Sequence, residues 1–363
     1  MEGHYHIDEN GIREKNGYSL TADMFRQFGI ALGILLESRI AQKGKFLVAA
    51  DSAVHDSGIF RKFIEGLHLL GVSVVNLGEL PLPMLHYAVR RTRAGGCAVI
   101  TNEGTVGLKW QIGETSPDSG QVETLKNLLA RNEWGQVSNS GNQEVRFLNV
   151  AYDYVAWLQD TWFDSPGKKM HVVLETSGGP WTGRARCYLQ AIFPQIVFSE
   201  VPDKRNPIRG IAEEVDRARA ELGIIFGANS ISESDSGQIT AVDGYGIPLT
   251  TEELNWLLLQ VFEESLRGET FLHDARCPSF VLSKAVNYGA IVREISSDAA
   301  SFRRAMQETS AIFGADSRGH HYFRAICGDN DALFTACWLL DFLSHSDRTL
   351  AQHRESIPSI LQE

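Results

Sequence analysis

The sequence predicts an α/β protein made of three tandem α/β/α domains with mixed, mainly parallel sheets. Its 363 residues exceed what a single hydrophobic core usually covers, so more than one domain is expected. Short runs that are apolar throughout alternate with longer amphipathic segments along most of the chain. Such runs are typical of strands buried on both faces, and their alternation with helices favours parallel pairing through right-handed crossovers.

The first predicted domain spans residues 1–148. Apolar runs predict its strands at 46–50, 72–77 and 97–101. Amphipathic segments predict its helices from Leu20 to Ser38, Ile59 to Leu70 and Met84 to Arg93. A polar interval rich in glycine, serine and asparagine follows at 134–143, and it places the domain boundary shortly afterwards.

The second predicted domain spans residues 149–269 and opens with a helix from Asn149 to Asp160. Its strands are predicted at 171–176, 196–201 and 222–227, with helices at 182–191 and 213–220. Thr250-Thr-Glu-Glu has the spacing of a capping box, in which the first threonine and the second glutamate cap one helix end reciprocally. We therefore expect a long helix from this point to about Leu266.

The third predicted domain spans residues 270–363. Strands are predicted around 280–283 and at 290–294, and helices at 299–309 and 331–344. A loop containing Gly314 and Gly319 lies between the two helices.

Composition excludes several classes of protein. A net charge of −11 and a pI near 5.5 argue against nucleic acid or an anionic membrane as the partner. The five cysteines are far apart and form no Cys-x-x-Cys pair, which indicates thiols in a reducing compartment. The N-terminus lacks the pattern of a signal peptide, and the longest apolar runs are too short to span a bilayer. These features predict a cytoplasmic protein.

The stretch from Ala98 to Gly113 carries the strongest sign of chemistry. It reads as a buried strand, a tight polar turn and a second strand that holds one lysine. This stretch resembles the active-site loop of the α-D-phosphohexomutases, the phosphoglucomutase and phosphomannomutase family, which reads T-A-S-H-N-P and then N-G-I-K. Thr101 matches the threonine of that loop, and Gly107-Leu108-Lys109 matches G-I-K.

Further landmarks follow in the order of that family. They are Asn10-Gly-Ile-Arg13 for D-G-I-R, Leu20-Thr21 for L-T, Gly78-Glu-Leu-Pro-Leu-Pro-Met-Leu85 for G-x-x-P-T-P-x-L, Ala220-Glu-Leu-Gly-Ile-Ile-Phe226 for A-D-L-G-I-A-F, Gly314-Ala-Asp-Ser-Arg-Gly-His320 for G-G-E-x-S-G-H, and Gly328-Asp-Asn-Asp331 for D-G-D-D-G. The resemblance covers nearly the whole chain and implies tandem α/β domains around a central cleft.

Polar groups that the resemblance would place around this cleft are Arg13, Lys109, Asp316, Ser317, Gly319 and His320. Lys109 is the candidate acid/base. In the family, the lysine and the first arginine lie near the phosphoserine, and the third-domain loop reads sugar hydroxyls.

The chain departs from the family at the nucleophile. Glu103 stands where the family keeps its phosphorylated serine. A carboxylate cannot relay a phosphoryl group through a stable ester, but it can imitate part of the charge of a phosphoserine. Two alternatives stay open for Glu103: such an imitation, with a nearby cation as its partner, or a solvent-facing acid in a shortened loop.

The metal loop departs as well. The family loop follows A-D-L-G-I-A-F with three aspartates that bind Mg²⁺, whereas residues 226–232 here read Phe-Gly-Ala-Asn-Ser-Ile-Ser. Glu233 and Asp235 lie just downstream, but a solvated polar turn is the favoured interpretation. No cofactor is therefore expected. His320 and His321 are adjacent and have no third ligand at helical spacing, so they predict no other metal site.

Two other features of the family are also incomplete. In the segment that matches G-R-D-T-R, only Asp51 survives, and the family's fourth domain, which grips the substrate phosphate, is expected to be absent. These losses predict a catalytically inactive phosphohexomutase-like protein of sugar-phosphate metabolism that binds a sugar phosphate or acts as a regulator or scaffold. One rival is an active mutase, an isomerase by reaction class, that uses Thr105 or Glu103 with Lys109. Another is an assembly subunit that partners another protein or a second copy of itself.

Overall fold

A computed structural model describes residues 5–15, 17–39, 44–55, 57–102, 105–114, 116–131, 145–162, 167–176, 180–201, 206–227 and 237–358. The chain divides into two compact units, Met1–Tyr152 and Asp153–Glu363. Among the described residues, no helix combines the length and the apolar character needed to cross a membrane.

The first unit is built on one mixed sheet. Its strands are β1 (Tyr5–Asp8), β2 (Gly11–Glu14), β3 (Lys45–Ala50), β4 (Ser73–Asn76), β5 (Gly96–Asn102), β6 (Val106–Ile112) and β7 (Arg146–Phe147). Its helices are α1 (Ala22–Arg39), α2 (Ser52–His55), α3 (Gly58–Leu69), α4 (Leu82–Thr92) and α5 (Ser119–Arg131). The strand order is β1-β2-β6-β5-β3-β4-β7, in which β5, β3, β4 and β7 pair in parallel and the pairs β5–β6, β6–β2 and β2–β1 are antiparallel.

Side chains of alternating strand positions build the core of this unit. Ile12, Ile100 and Leu108 lie on one face of the sheet and join a large apolar cluster with Phe28 and Phe63 of helices α1 and α3. Two glycines let these helices approach closely, because a Cβ on Gly29 or Gly66 would collide with the backbone of the other helix. The opposite side of strands β2 and β6 is thereby left for polar residues.

The second unit contains two further sheets. The first has the order β11-β10-β8-β9 and comprises β8 (His171–Glu175), β9 (Val197–Glu200), β10 (Leu222–Phe226) and β11 (Ile239–Asp243). The second has the order β13-β12-β14-β15-β16 and comprises β12 (Thr270–His273), β13 (Ile291–Glu294), β14 (Phe313–Ala315), β15 (His321–Phe323) and β16 (Asp329–Asn330). In each sheet, three parallel strands are extended by antiparallel ones.

Helices of the second unit connect and cover these strands. They are α6 (Ala151–Trp162), which begins at the division between the units, α7 (Ala185–Ile192), α8 (Pro207–Ala218), α9 (Thr251–Val261), α10 (Ser279–Asn287), α11 (Ala299–Thr309), α12 (Ala332–His345) and α13 (Leu350–Glu355). Helix α9 begins at the predicted capping box, in which Thr250 and Glu253 each cap the other's backbone N–H. Trp338 of α12 is partly buried and packs against Trp162, Phe262 and Phe334.

The α/β class and the mixed sheets are confirmed, and the apolar runs of the first two predicted domains form strands β3, β4, β5, β8, β9 and β10. The strand expected at 280–283 is wrong, because these residues lie within helix α10. A short apolar run does not distinguish a strand from a helix, and here Pro278 caps a helix that buries Val281 and Ala285 one turn apart. The boundaries at 148/149 and 269/270 stay predictions, and the polar interval at 134–143 lies outside the described residues.

Candidate active site and the loop 314–320

The carboxyl edge of the first sheet is where a ligand is expected to bind. The parallel strands β3, β4 and β5 end there, and the strand order reverses its direction between β3 and β5. A reversal of this kind opens a crevice at the carboxyl ends of the two strands. Asp51 follows β3 and links it to the end of β5. Its Oδ2 accepts a hydrogen bond from the backbone N–H of Asn102 at 2.6 Å.

The turn that joins β5 to β6 lies at this crevice. It comprises residues 103–105, because Asn102 and Val106 pair as the last residues of the two strands. Glu103 lies outside the described residues. Thr105 is exposed at the end of the turn. The buried strand and the lysine-bearing strand of the prediction are confirmed as β5 and β6, whereas the turn between them lies in part outside the described residues.

Three predicted polar groups share one face of the sheet. Thr101 pairs with Gly107, Gly107 pairs with Arg13, and Lys109 lies opposite Val99. Directly opposed residues in an antiparallel pair project to the same side, as do residues two apart on a strand. Arg13, Thr101 and Lys109 are thus brought onto the face opposite Ile12, Ile100 and Leu108.

Gly107 lies between Thr101 and Arg13 on this face. A Cβ at this position would lie 3.2 Å from the carbonyl oxygen of Ile12 and 3.3 Å from Thr101 Oγ1, both of which are tight contacts. The glycine therefore avoids crowding with the neighbouring strands. This is a physical reason for glycine in the Gly107-Leu108-Lys109 segment.

Arg13 is held within its own hairpin. Its guanidinium pairs with the carboxylate of Asp8, and both side chains are partly exposed. His6 Nε2 lies 3.4 Å from the same carboxylate. An exposed ion pair contributes little to stability, so Asp8 orients Arg13 more than it anchors the fold. Lys109 is half-buried one residue pair further along β6.

The loop 314–320 of the second unit is organised around Asp316. This carboxylate is fully buried and accepts hydrogen bonds from the backbone N–H groups of Arg318 and His320, each at 3.0 Å. It also receives Arg318 Nη2 at 3.0 Å and His320 Nδ1 at 2.8 Å. Burial raises the pKa of Asp316, but the hydrogen bonds and charge of His320, with the charge of Arg318, outweigh it and lower the pKa to about 2.

His320 is engaged at both ring nitrogens. Because a carboxylate only accepts, Nδ1 carries the hydrogen that is shared with Asp316, and in the neutral ring Nε2 then accepts from Gln238 Nε2 at 3.1 Å. Gln238 also forms an isolated backbone bridge with His320. The side chain of His320 is 5% exposed. Gln238, which the sequence did not indicate, therefore ties this loop to the segment before β11.

Ser317 is tied to a second unpredicted residue. Its N–H and its Oγ donate to Asp274 Oδ2 at 3.1 and 2.6 Å, and Asp274 Oδ1 accepts the N–H of Arg276 at 3.2 Å. Asp274 follows β12 directly, and the single apolar pair of β12 is too short to mark this position in the sequence. Gly319 has φ +94° and lies against Thr251 at the start of α9. The structure thus brings Asp316, Ser317, Gly319 and His320 together in one hydrogen-bonded loop.

His321 has a different environment from its neighbour. Its side chain is fully buried, and Nε2 lies 2.8 Å from Asn255 Oδ1. Burial lowers the pKa of His321 to about 3, so the ring is neutral at pH 7. Among the described residues, no group of three or more histidine, cysteine, aspartate or glutamate side chains is arranged to hold a metal ion.

The family's metal loop corresponds to a segment that begins at the end of β10. Phe226 is buried, and the N–H of Gly227 donates to the carbonyl of Gln238 at 2.9 Å. The loop residues Asn229, Ser230, Glu233 and Asp235 lie outside the described residues. The donor set of residues 226–232 contains no carboxylate, so it does not fit a hard divalent cation that prefers anionic oxygen.

Comparisons with known proteins agree with these landmarks. Residues 6–104 match the family described as phosphoglucomutase/phosphomannomutase, α/β/α domain I. The phosphomannomutase/phosphoglucomutase of Pseudomonas aeruginosa is 21% identical over 96% of this chain and 76% of that protein. The phosphoglucosamine mutase of Desulforamulus reducens is 23% identical over 97% of this chain and 83% of that protein.

A solved structure shows the same fold. The phosphoglucomutase/phosphomannomutase family protein of Burkholderia thailandensis superposes with a TM-score of 0.82 at 19% identity, over 98% of this chain and 81% of that one. The match of the first domain, the full-length relatives and the shared fold agree with the order of the sequence motifs. The chain is thus similar along nearly its whole length to phosphoglucomutase/phosphomannomutase family proteins, its residues 6–104 match that family's domain I, and it shares their fold.

Proposed function

We propose that this protein binds hexose phosphates and does not transfer their phosphoryl group. The observation that carries the proposal is in the sequence: Glu103, which lies outside the described residues, stands where the family keeps its nucleophilic serine, in the segment between Asn102 of β5 and Val106 of β6. Phosphoryl relay needs an oxygen nucleophile that forms a phosphoester. A carboxylate at this place supplies charge without that chemistry.

The residues around the turn support binding. Arg13 and Lys109 place two cations on one face of the sheet, next to a turn whose residues are polar. Cations on a rigid sheet can hold a phosphate through charge-assisted hydrogen bonds. The relatives named above are mutases of phosphorylated mannose, glucose and glucosamine, so hexose phosphates are the natural class of ligand to test.

Loss of the metal-binding carboxylates also supports binding without phosphoryl transfer. In phosphoryl transfer, a metal neutralises the charge that develops on the transferred group. Residues 226–232 supply no anionic ligand for such an ion. We therefore propose no step that passes through a metal, and we propose that ligand binding is independent of Mg²⁺.

A thermal-shift and calorimetric screen against hexose 1- and 6-phosphates, with and without Mg²⁺, tests this function. A ligand that binds only the native state raises its melting temperature, by an amount equivalent to about 2.7 kcal/mol at a concentration 100 times Kd. We expect stabilisation without Mg²⁺ and its loss in Lys109→Ala. Lys126→Ala is the matched control, because Lys126 is an exposed lysine of α5 in the same unit.

Turnover is measured in parallel by following the interconversion of hexose 1- and 6-phosphates, primed with a hexose 1,6-bisphosphate. The proposal requires none, and interconversion by the wild-type protein would contradict it. If no ligand raises the melting temperature or binds in the calorimeter, the binding function is rejected and the scaffold alternative takes its place.

A second candidate function is an active mutase in which Thr105 replaces the serine. The observation in its favour is that Thr105 is exposed at the same turn. This function requires a phosphate on Thr105, which mass spectrometry detects as a mass increment that Thr105→Ala abolishes. Absence of that increment after incubation with a hexose bisphosphate removes this candidate.

A further inference from the structure

The loop 314–320 turns nearly all of its polar side chains inward. The hydroxyl of Ser317 donates to Asp274, and the ring of His320 lies between Asp316 and Gln238. Asp316 is itself fully buried. The hydroxyl and the imidazole of this loop therefore serve its internal structure.

Arg318 is the residue of this loop that faces outward. Its side chain is 44% exposed, whereas Asp316 and His320 are buried and Ser317 is partly buried. In the pattern G-G-E-x-S-G-H, Arg318 occupies the serine position, and Ser317 the variable one. The outward group at this position is thus a guanidinium in place of a hydroxyl.

The loop holds this guanidinium in a defined position. Asp316 accepts the backbone N–H of Arg318 through Oδ1 and its Nη2 through Oδ2, both at 3.0 Å. Asp316 also accepts two hydrogen bonds from His320, so Arg318 is not the only group that stabilises its ionised form. A guanidinium has five N–H donors in a planar fork, and this fork matches two oxygens of a phosphate or carboxylate.

We propose that Arg318 is a specificity-determining residue, which makes this loop bind an anionic oxygen group of the ligand instead of neutral sugar hydroxyls. This anionic group is the phosphate of a hexose phosphate. This inference rests on the proposed function and adds the chemical feature that the loop selects. It predicts preference for a phosphorylated hexose over the same hexose without phosphate, through contacts of Arg318.

Calorimetry with glucose 6-phosphate, glucose and inorganic phosphate tests the inference on the full chain. We expect Arg318→Ser, which introduces the family's residue, to weaken glucose 6-phosphate binding by about tenfold to a hundredfold, as expected for one charge-assisted contact. Arg318→Lys keeps the charge and loses the fork, so a smaller loss of at least about threefold is expected. Arg209→Ser is the matched control, because Arg209 is a 77% exposed arginine of α8.

The outcomes separate this inference from the proposed function. If Lys109→Ala abolishes glucose 6-phosphate binding and Arg318→Ser binds like the wild type, the inference is overturned and the function stands. Binding of inorganic phosphate that depends on Arg318, without binding of any hexose phosphate, rejects the function and also overturns the preference for a phosphorylated hexose that is inferred here. If the folded wild-type protein binds neither phosphate, both are overturned. Should Arg318→Ser fail to fold by circular dichroism, Arg318→Lys decides, and wild-type affinity in that variant overturns the inference.

Discussion

His320 donates a hydrogen bond from Nδ1 to the buried carboxylate of Asp316 at 2.8 Å. Two backbone N–H groups, the guanidinium of Arg318 and, at 3.4 Å, the hydroxyl of Tyr322 also donate to this carboxylate. Together they favour its ionised form over the protonated one. The link between Asp316 and His320 therefore makes the stability of the second unit depend on pH.

We predict that Asp316 stabilises the protein only while it is ionised. Because its pKa is lowered from 3.8 to about 2, this stabilisation is complete above pH 3.8 and is lost as the pH falls through about 2. The wild-type protein should lose about 2 kcal/mol relative to Asp316→Asn over this window. Urea unfolding of both proteins at several pH values measures the difference. A difference that is independent of pH would contradict the role of the ionised carboxylate.

Asp331 should show the opposite dependence. Burial raises the pKa of Asp331 to about 6, although Tyr154 and the N–H groups of Leu333 and Phe334 donate to it. A carboxyl group with a raised native pKa destabilises the fold as the pH rises through that value. Asp331→Asn keeps the cap acceptor of α12 and cannot ionise, so it should gain about 3 kcal/mol relative to the wild type between pH 4 and pH 8.

Urea unfolding at these two pH values checks the prediction for Asp331. Asp331→Ala is the control for the cap itself, and its loss of the cap should cost about 1 kcal/mol at pH 4, where ionisation contributes least. Equal effects of Asp331→Asn at pH 4 and pH 8 would show that the buried carboxyl titrates normally.

Replacement of Gly11 should lower the free energy of unfolding far more than replacement of Gly17. Gly11 has φ +132°, and a Cβ there would lie 2.5 Å from the carbonyl oxygen of Leu108 on β6. Gly17 has φ +75° and no heavy atom within 4 Å of such a Cβ. We expect Gly11→Ala to cost about 2–4 kcal/mol of unfolding free energy and Gly17→Ala about 1 kcal/mol. Thermal unfolding measures both, and equal losses would mean that β2 and β6 are not held so closely.

Restoring the family nucleophile should not restore catalysis. In Glu103→Ser, the turn regains a hydroxyl, but residues 226–232 still supply no carboxylate for a metal ion. We expect no interconversion of hexose 1- and 6-phosphates above background, measured by phosphorus NMR with Mg²⁺ present. Glu103→Gln, which removes the charge without adding a nucleophile, is the control. Turnover by the serine variant would show that another group replaces the metal loop.

Local pattern predicted much of the fold. Apolar runs identified the central parallel strands, and the spacing of Thr250 and Glu253 identified the start of α9. The same kind of signal failed at 280–283, where a short apolar run belongs to a helix. It also gave no sign of β12, because four residues with one apolar pair carry too little periodicity.

The candidate site was predicted in part. The motifs located the β5–β6 turn and the loop 314–320, since residues close in sequence stay close in a turn. They did not indicate Gln238 or Asp274, which lie 82 and 43 residues from their partners His320 and Ser317. No local pattern records a hydrogen bond between segments that only the folded chain brings together.

The sequence alone determined the α/β class, the positions of most central strands and the residue types available at each turn. These properties depend on side-chain polarity and on interactions between near neighbours. Only the tertiary structure decided that Arg13 and Lys109 share a face, because strand register sets which residues oppose each other. It likewise decided that His320 and Ser317 face inward while Arg318 faces solvent, because burial depends on partners that are distant in sequence.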